Sequence, residues 1–457
     1  MRSRWIPRPD RLTVRLIALG LAGVGPYAWA LTLADLRRHT IDFAIAFGVA
    51  FALYALAAWL VLREECTSRP ALLVVAAFAL VYHALLIVSP PTLSDDAYRY
   101  VWDGRVQAHG FSPYAYPPDA AELRPLRDED IWPSINRKSS VTVYPAGAEL
   151  AYRLLWRISP DSIRWTQAVM STGALLAGLL LLPLLRALGR PAHRALIYWW
   201  SPLLAFETAH AAHVDGLVLP LLVGAWLARA RRRDVLTGVL LGAAASLKLY
   251  PALLLPALWR PRDEAGRTVP AWGMPLAFAG VFALTYVPYL AEGQAAIGFL
   301  PRYFQERFNM GLAAGVTWLV EAMGGHPQTV VNGLLLAAWA AVAAVLLLRP
   351  ATDAEVAIRR CIWPIGAFTL LTQNLFPWYM LWLIPLLALY VGRREISRSL
   401  SWGGWFLFSG LVVLAYTFFI DWQPVPWALA AQFLPLYGAL LGDAWNGWRR
   451  WRAARSA

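Results

Sequence analysis

The sequence is a succession of long apolar stretches separated by short polar segments that are rich in arginine. Most of these stretches approach the roughly 20 residues that a helix needs to cross a bilayer. Their apolar positions are continuous rather than alternating, which excludes a transmembrane β-barrel. The pattern predicts an all-α integral membrane protein, a polytopic bundle of about 12 to 14 transmembrane helices, in which residues 1–457 form a single domain.

The positions of the arginines predict which connections face the cytoplasm. The clusters at the start and end of the chain place both termini in the cytoplasm of a multi-pass cell-membrane protein. The segment 235–259 has arginines on both flanks, so we expect it to turn back at Lys248, where Pro251 interrupts the helix. The predicted membrane segments lie near 12–34, 41–62, 70–89, 165–186, 195–209, 214–228, 235–259, 271–290, 329–348, 359–374, 377–391, 400–420 and 427–444.

This topology leaves two long segments, 91–162 and 291–328, on the periplasmic or extracellular side. The first segment contains two amphipathic stretches, near 96–109 and 146–158, of the kind that lies in the membrane interface. We therefore predict that the first external loop is the catalytic part of the domain. Residues 1–65 add extra N-terminal helices to this arrangement.

Composition and charge exclude several other classes of protein. Hydrophobic residues make up 59% of the chain and charged residues only 15%, while the formal net charge is +13. Because the arginines lie in short connections, this charge follows membrane topology and we expect no nucleic-acid partner. Cys66 and Cys361 are the only cysteines and indicate neither a disulfide framework nor a cysteine metal site. The Arg-rich start lacks a cleavage pattern and is expected to stay as an anchor.

The polar stretch that opens the first external loop carries the strongest candidates for chemistry. Ser94 is a good helix N-cap, and Asp95 and Asp96 then lie in the first turn, where the helix dipole favours carboxylates. In a helix, the spacing places Arg99, Tyr100 and Asp103 on the face of Asp96. Ionised groups at the mouth of a membrane helix are poor lipid partners, so these carboxylates are candidates for a general base.

Other unusual polar residues fall on the same outer face of the predicted topology. A carboxylate and several cations suit one task, in which the carboxylate takes a proton and the cations hold an anionic leaving group. The alternatives are a helix cap for the aspartates, an interfacial turn for His213 and Asp215, and a snorkelling position for Lys248. The residues in question are Asp95, Asp96, His210, His213, Asp215, Lys248, Arg302, Arg307, Gln373 and Asn374, of which His210 is expected to be structural.

Several short motifs resemble those of membrane glycosyltransferases of the GT-C superfamily. The segment Ser-Asp-Asp-Ala-Tyr-Arg-Tyr at 94–100, followed by Gly104 and Ser-Pro-Tyr at 112–114, resembles their first external loop. The segments Ser-Leu-Lys-Leu-Tyr-Pro at 246–251 and Phe-Pro-Trp-Tyr at 376–379 are similar to later motifs. The likeness is to glycosyltransferase family 87 and the polyprenol-phosphomannose-dependent mannosyltransferases, and it starts near residue 70.

The resemblance implies an inverting glycosyltransferase that works at the periplasmic or extracellular face of the membrane. Its donor is a polyprenyl-phosphate-linked sugar, mannose, and its acceptor is a hydroxyl group of a glycan, glycolipid or protein. A first-loop aspartate activates that hydroxyl. The position two residues before the first tyrosine of the motif is Asp96, which we favour, whereas other branches use the first acid of the pair, which is Asp95.

The remaining roles follow from the same resemblance together with the charges. We expect the donor phosphate to be held by Lys248, Arg302, Arg307 and His213. No motif resembles the Asp-x-Asp metal site of nucleotide-sugar enzymes, so no metal or cofactor is predicted, and the protein is expected to act as a monomer in the lipid bilayer. The predicted substrate pocket consists of Asp215, Tyr98, Arg99, Tyr250, Gln373, Asn374, Trp378 and Tyr379.

Two other functions share much of this pattern. A transporter or flippase of lipid-linked sugars would use the same charges along a translocation path. Such a protein is expected to have polar residues near the membrane midplane and two repeated halves. This sequence instead places its polar residues at one face and shows no internal repeat. A ligase or polymerase would transfer a whole lipid-linked oligosaccharide. Only tests of substrates distinguish this second alternative from transfer of a single sugar.

Overall fold

The computed structural model describes residues 10–64, 68–259, 272–303, 305–351, 353–392 and 399–456. Within these ranges the chain is helical, and its one β-bridge joins Phe308 to Asn374. Seven helical segments in the described ranges are long and apolar enough to cross a membrane. The prediction of an all-α polytopic membrane protein is therefore confirmed, while the count of about 12 to 14 crossings stays a prediction.

The α-helices are numbered here in chain order. They are α1 Arg11–Thr32, α2 Thr40–Val61, α3 Arg69–Ile87, α4 Asp96–Ala108, α5 Ala146–Ile158, α6 Ile163–Ala187, α7 Ala195–Trp199, α8 Pro202–Ala205, α9 Asp215–Ala230, α10 Asp234–Leu247, α11 Leu255–Leu258, α12 Gly273–Tyr286, α13 Leu300–Tyr303, α14 Leu312–Ala322, α15 Pro327–Leu348, α16 Ala354–Arg360, α17 Ile362–Leu371, α18 Ile384–Tyr390, α19 Ser401–Leu411, α20 Phe418–Asp421 and α21 Pro426–Ser456. A π-helical turn covers Phe206–His210, and 3-10 segments cover Ala121–Leu126, Trp132–Ser134, Ala192–Arg194, Tyr250–Leu254, Val287–Ile297, Pro377–Trp382 and Val412–Thr417.

The first two helices are packed into the main core rather than set apart from it. Tyr27 of α1 stacks on Tyr82 of α3, with ring centroids 4.6 Å apart, and on Phe206 at 5.4 Å. The hydroxyl group of Tyr54 in α2 donates to the carbonyl of Ile197 at 2.7 Å. These contacts join α1 and α2 to segments later in the chain, so the extra N-terminal helices are part of the main helical core.

The segment 91–162, which was predicted to be external and keeps the name first external loop below, has a small core of its own. Its two predicted amphipathic stretches form α4 and α5, and these pack so closely that a Cβ at Gly104 would lie 2.5 Å from the carbonyl oxygen of Tyr152. The N-cap of α4 is Asp95 rather than Ser94, and the hydroxyl group of Ser94 accepts from the Asp96 N–H at 3.2 Å. The buried side chains of this loop core are Val101, Trp102, Val106, Leu123, Ile131 and Ile135.

The helix in segment 235–259 is interrupted at Lys248, as predicted. Helix α10 ends at Leu247, Lys248 is extended with φ −156° and ψ 133°, and a 3-10 turn that contains Pro251 follows. A Cβ at Gly238 would lie 2.1 Å from the carbonyl oxygen of Met274, so α10 and α12 approach through a small residue, as membrane helices commonly do. The arginines at 260, 262 and 267 that suggested the turn lie outside the described residues.

Several predicted spans are more broken than the hydropathy indicated. The segment predicted near 377–391 consists of a 3-10 segment and α18, and the second external loop contains the apolar helix α14. The last helix is longer than predicted and continues to Ser456. Hydropathy indicates only that a segment is apolar. Helix breaks depend also on prolines and on how the segments pack against one another.

Candidate active site

A cavity of about 1140 Å³ lies between the two external loops and several membrane helices. One part of its wall is charged and polar, and the other part is apolar, with Leu335, Leu336 and Trp339 of α15 and Phe368 of α17. The charged and polar part includes Arg37, Asp95, Asp96, Asn136, Arg137, Lys248, Glu306, Arg307, Gln373 and Asn374. A cavity of this size with few, convergent polar groups is the default candidate for an active site.

Asp96 lies at the first position of α4 and faces this cavity. Its carboxylate accepts hydrogen bonds from Asn136 Nδ2 at 2.8 Å and from the Tyr144 hydroxyl group at 3.1 Å. Burial raises the pKa of Asp96 above its ordinary value, while Arg137 and the bond from Asn136 act in the opposite direction. Asn136 and Tyr144 were not among the predicted site residues, since a short loop motif carries no sign of partners 40 and 48 residues away.

Asp95 is paired with a cation and is therefore different from Asp96. The guanidinium of Arg37, in the connection between α1 and α2, donates to both carboxylate oxygens of Asp95 at 2.9 and 2.5 Å. Arg99, which lies one turn further along α4, pairs with a different carboxylate. Arg99 donates instead to Asp103 at 2.8 Å in a buried ion pair and to the carbonyl of Ser140 at 3.0 Å. The pairing leaves Asp96, held by neutral donors, as the carboxylate available for proton transfer.

Lys248 presents its ammonium group to the cavity from a fixed position. Its Nζ lies 2.5 Å from Asp215 Oδ2, and the other carboxylate oxygen of Asp215 accepts from Trp382 Nε1 at 2.7 Å. Asp215 is fully buried, while 17% of the Lys248 side chain is exposed. An ammonium group has three donors. Lys248 can therefore keep its bond to Asp215 and also bind an anionic ligand in the cavity.

A second cation, Arg137, lines the cavity and was not predicted. Its guanidinium donates to both carboxylate oxygens of Glu306 at 2.7 and 2.6 Å, so it joins the first external loop to the second. Asn374 Nδ2 lies 3.3 Å from Glu306 and extends this contact. Arg307 also lines the cavity and pairs with Glu321 at 2.9 Å. Arg302 on α13 is exposed and does not belong to the cavity wall.

Stacked aromatic rings form another part of the cavity wall. Phe376 stacks on Phe308 with centroids 4.4 Å apart and on Trp378 at 4.3 Å, and Trp378 in turn covers His213 at 3.9 Å. Nearby, the ring of Tyr250 lies 3.7 Å from that of Trp382. The stacked rings fix the shape of this part of the cavity, because packed aromatic rings have little freedom to rearrange.

The structure brings together most of the predicted site residues, but not all of them. Tyr98 packs against the loop core, and Arg99 and Arg302 lie away from the cavity. His213 and Asp215 lie directly behind its wall. His210 accepts from the Thr92 N–H at 3.1 Å and contacts the Ser89 hydroxyl group at 3.0 Å, which fits a structural role. The predicted residues that line the cavity are Asp95, Asp96, Lys248, Tyr250, Arg307, Gln373, Asn374, Trp378 and Tyr379.

The arrangement suits transfer of a group from an anionic carrier. Asp96 is placed to take a proton, and the cations of Lys248 and Arg137 lie on the same cavity wall. Among the described residues, no group of three or more His, Cys, Asp and Glu side chains is placed to hold a metal ion. Whether the reaction needs a metal stays a prediction from the sequence.

Comparison with known protein families identifies the kind of transfer. Residues 13–260 match the family described as alpha-(1->6)-mannopyranosyltransferase, N-terminal domain. The match covers more than half of the chain and includes α1 and α2, the first external loop and Lys248. No curated protein and no solved structure matches the chain. The resemblance of the loop motifs to mannosyltransferases is thus confirmed, and the chain belongs to the alpha-(1->6)-mannopyranosyltransferase family of glycosyltransferases.

Proposed function

We propose that this mannosyltransferase takes its mannosyl group from a polyprenyl monophosphate and transfers it to an acceptor hydroxyl group at the periplasmic or extracellular membrane face. The observation that carries the proposal is the cavity itself, which the carboxylate of Asp96 and the cations of Lys248 and Arg137 share with an apolar wall. A lipid-linked phosphate sugar has the same division into a polar reacting end and an apolar tail. Both termini are cytoplasmic in this proposal, and the protein acts as a monomer.

Asp96 acts as the general base. The acceptor hydroxyl group is too weakly acidic to attack unaided, so the carboxylate takes its proton as the new glycosidic bond forms. Retention by double displacement would need a second carboxylate as nucleophile. The other two carboxylates on the cavity wall are each held by an arginine, Asp95 by Arg37 and Glu306 by Arg137. This arrangement supports a single displacement with inversion at the anomeric carbon.

The leaving phosphate binds to Lys248 and Arg137. Negative charge develops on the phosphate oxygen as the sugar leaves, and fixed cations in a cavity stabilise that charge more strongly than water does. Glu306 holds the Arg137 guanidinium through Nε and Nη2, and the Nη1 group of the same guanidinium can donate to a phosphate oxygen. A monophosphate can be stabilised by these cations alone, so we propose no metal requirement.

The lipid tail of the donor lies along the apolar wall. Leu335, Leu336 and Trp339 of α15 contribute to this wall, and α15 is a candidate membrane-spanning helix with few buried positions. A ligand that lies against α15 can therefore keep its tail within the bilayer while its phosphate reaches Lys248. This division of the cavity favours a polyprenyl carrier over a water-soluble nucleotide carrier.

Replacement of Arg137 tests the phosphate site. We expect Arg137→Ala to lower kcat/KM for the donor by about 10- to 100-fold, the loss that corresponds to hydrogen bonds with a charged group. Glu306→Gln is the matched control, because it weakens the same contact between the loops by removing one acceptor and the charge, but keeps the cation. We expect that variant to bind the donor at least as tightly as the wild type. Equal losses in both variants would reduce Arg137 to a structural link between the loops.

The function is tested with purified protein in lipid and radiolabelled polyprenyl-phosphate mannose. We expect transfer to a mannose-containing acceptor, with an anomeric configuration opposite to that of the donor and with undiminished activity in EDTA. GDP-mannose in place of the lipid-linked donor is the control and is expected to give no product. Transfer from GDP-mannose alone would overturn the lipid donor, and loss of activity in EDTA that a divalent ion restores would overturn the metal-free mechanism.

A further inference from the structure

We propose that His213 is a positioning residue for Asp96, and that Glu207 fixes the imidazole of His213 so that its N–H faces the carboxylate base. This inference rests on the proposed function of Asp96. It adds two buried residues behind the cavity wall that no sequence motif identified in this role. It also explains how a carboxylate in a largely apolar pocket is kept ready to accept a proton.

The geometry places the His213 ring between two carboxyl groups. His213 Nδ1 lies 3.6 Å from Asp96 Oδ2, and Nε2 lies 3.3 Å from Glu207 Oε2. The ring is only 1% exposed and is covered by Trp378, so water does not compete for its nitrogens. Among the described residues, neither nitrogen has a partner in hydrogen-bond geometry. Buried polar groups are rarely left without partners, and the two carboxyl groups are the ones that face these nitrogens.

The backbone around His213 is unusual in a way that favours this placement. Glu207 lies in the π-helical turn 206–210, and such turns are frequent at functional sites. Ala212 has a φ of +57°, a left-handed conformation that is uncommon for a residue other than glycine. The His213 N–H donates to the Glu207 carbonyl at 2.9 Å, which closes the turn. Together these features direct the side chains of Glu207 and His213 toward each other.

Glu207 is held on its far side by Tyr416. The Tyr416 hydroxyl group donates to the Glu207 carboxyl oxygens at 2.9 and 3.2 Å, and Glu207 is 1% exposed. Burial and neighbouring carboxylates favour the protonated form of such a group. A protonated Glu207 donates to Nε2 of His213, and the neutral imidazole then carries its proton on Nδ1, the nitrogen that faces Asp96.

The chain Tyr416–Glu207–His213–Asp96 therefore ends in an N–H donor directed at the base. A donor to a carboxylate stabilises its charged form, which is the form that accepts a proton from the acceptor. The Nδ1 distance of 3.6 Å is longer than a hydrogen bond. Catalytic hydrogen bonds are often long before the substrate binds and shorten in the complex.

Other charged and titratable groups face Asp96, His213 and Glu207 and contribute to the electrostatic potential there. Lys248 and Arg137 act on Asp96 as cations, and Tyr144 donates to it. Asp215 lies near Glu207, and Lys248 lies near both Glu207 and His213. None of these groups is changed in the variants proposed below, so a shift in pH dependence reports on the His213–Glu207 pair.

The test is the pH profile of kcat/KM for mannosyl transfer. His213→Phe keeps a ring under Trp378 but removes the N–H. We therefore expect the acid limb of this variant to move up by about one pH unit or more, with kcat/KM about tenfold lower than that of the wild type at pH values below the limb. His213→Asn keeps a short N–H donor toward Asp96 and is expected to retain most of the wild-type profile. His210→Phe is the control, because His210 is equally buried and contacts Ser89 and Thr92 rather than Asp96.

Glu207 provides a second, independent pair of variants. Glu207→Gln is nearly isosteric and can still donate to His213 Nε2, so we expect the wild-type acid limb. Glu207→Met cannot donate and is expected to behave like His213→Phe. If Glu207→Gln moves the limb as far as Glu207→Met does, the protonated-Glu207 arrangement is wrong, and this isosteric variant decides the matter even if the others fold poorly.

The outcomes also separate this inference from the proposed function. If the wild-type protein transfers mannose and all His213 and Glu207 variants keep its acid limb, the positioning role fails while the function stands. If the wild-type protein forms no product from polyprenyl-phosphate mannose at any pH, the proposed function fails and the positioning role fails with it. A shifted limb in His213→Phe and Glu207→Met, with the wild-type limb in His213→Asn and Glu207→Gln, supports both.

Discussion

Asp96→Asn is expected to lower the rate of mannosyl transfer by about 10²-fold or more, with donor binding nearly unchanged. Asparagine has almost the same shape as aspartate and can still interact with Asn136 and Tyr144, but it cannot accept a proton at neutral pH. The loss should therefore appear in kcat. The measurement is steady-state transfer combined with a direct donor-binding assay on the same preparation.

The pH dependence of the wild-type enzyme is part of this prediction. A general base works only in its deprotonated form, so activity is present above the pKa of Asp96 and is lost as the pH falls through it. Because burial raises that pKa, we expect the acid limb at a higher pH than an exposed aspartate would give. A limb at the ordinary pKa of aspartate would show that the base is a solvent-exposed carboxylate instead.

Asp95→Asn is the matched control for Asp96→Asn. The two aspartates are adjacent, line the same cavity and differ in partner, since Asp95 is bound by Arg37. We expect Asp95→Asn to lose less activity, because it weakens a contact with the α1–α2 connection and leaves the base intact. The reverse ranking would move the base to Asp95, and normal turnover in the double variant would remove the central residue of the mechanism.

Lys248→Ala is expected to lower transfer by about 10²-fold, while Lys248→Arg keeps part of the activity. The ammonium group is the cation that the fold fixes at the cavity surface through Asp215. Without it, the charge that develops on the leaving phosphate loses a stabilising partner. Single-turnover transfer at saturating donor measures this step apart from product release.

The alanine variant also leaves Asp215 without its ion-pair partner. Breaking a buried pair commonly costs about 3–5 kcal/mol of stability, so Lys248→Ala alone could lose activity by unfolding. The double variant Lys248→Met/Asp215→Asn removes both charges and separates the two effects. We expect it to be as stable as the wild type in thermal unfolding and still inactive. Wild-type turnover in the double variant would contradict the phosphate-binding role of Lys248.

Arg302→Ala is the second control for the phosphate site. Arg302 was predicted to bind the phosphate together with Lys248, but it is exposed on α13 and lies outside the cavity wall. We expect its replacement to change turnover by no more than about twofold, as is usual for exposed charges. A large loss would show that the second external loop closes over the donor.

The local pattern of apolar and polar residues was sufficient to predict the helices of this protein and one helix break. Continuous apolar runs predicted the membrane helices, and amphipathic spacing predicted α4 and α5 in the first external loop. The break at Lys248 followed from Pro251 and from arginines on both sides of the segment. Each of these features depends on residues within a few turns of one another. Hydropathy, helix capping and the effect of proline act at that range.

The sequence by itself therefore determined an all-α membrane protein of the mannosyltransferase type, with Asp95, Asp96 and Lys248 at its candidate site. Only the tertiary structure decided which side chains these and the other site residues contact. Arg37 pairs with Asp95 across 58 positions of the chain, and Arg137 pairs with Glu306 across 169. His213 lies 3.6 Å from Asp96 and 3.3 Å from Glu207, in and beside a π-helical turn that begins more than 100 residues after the first-loop aspartates. Such contacts depend on how whole helices pack, and no local pattern of polar and apolar residues contains that information.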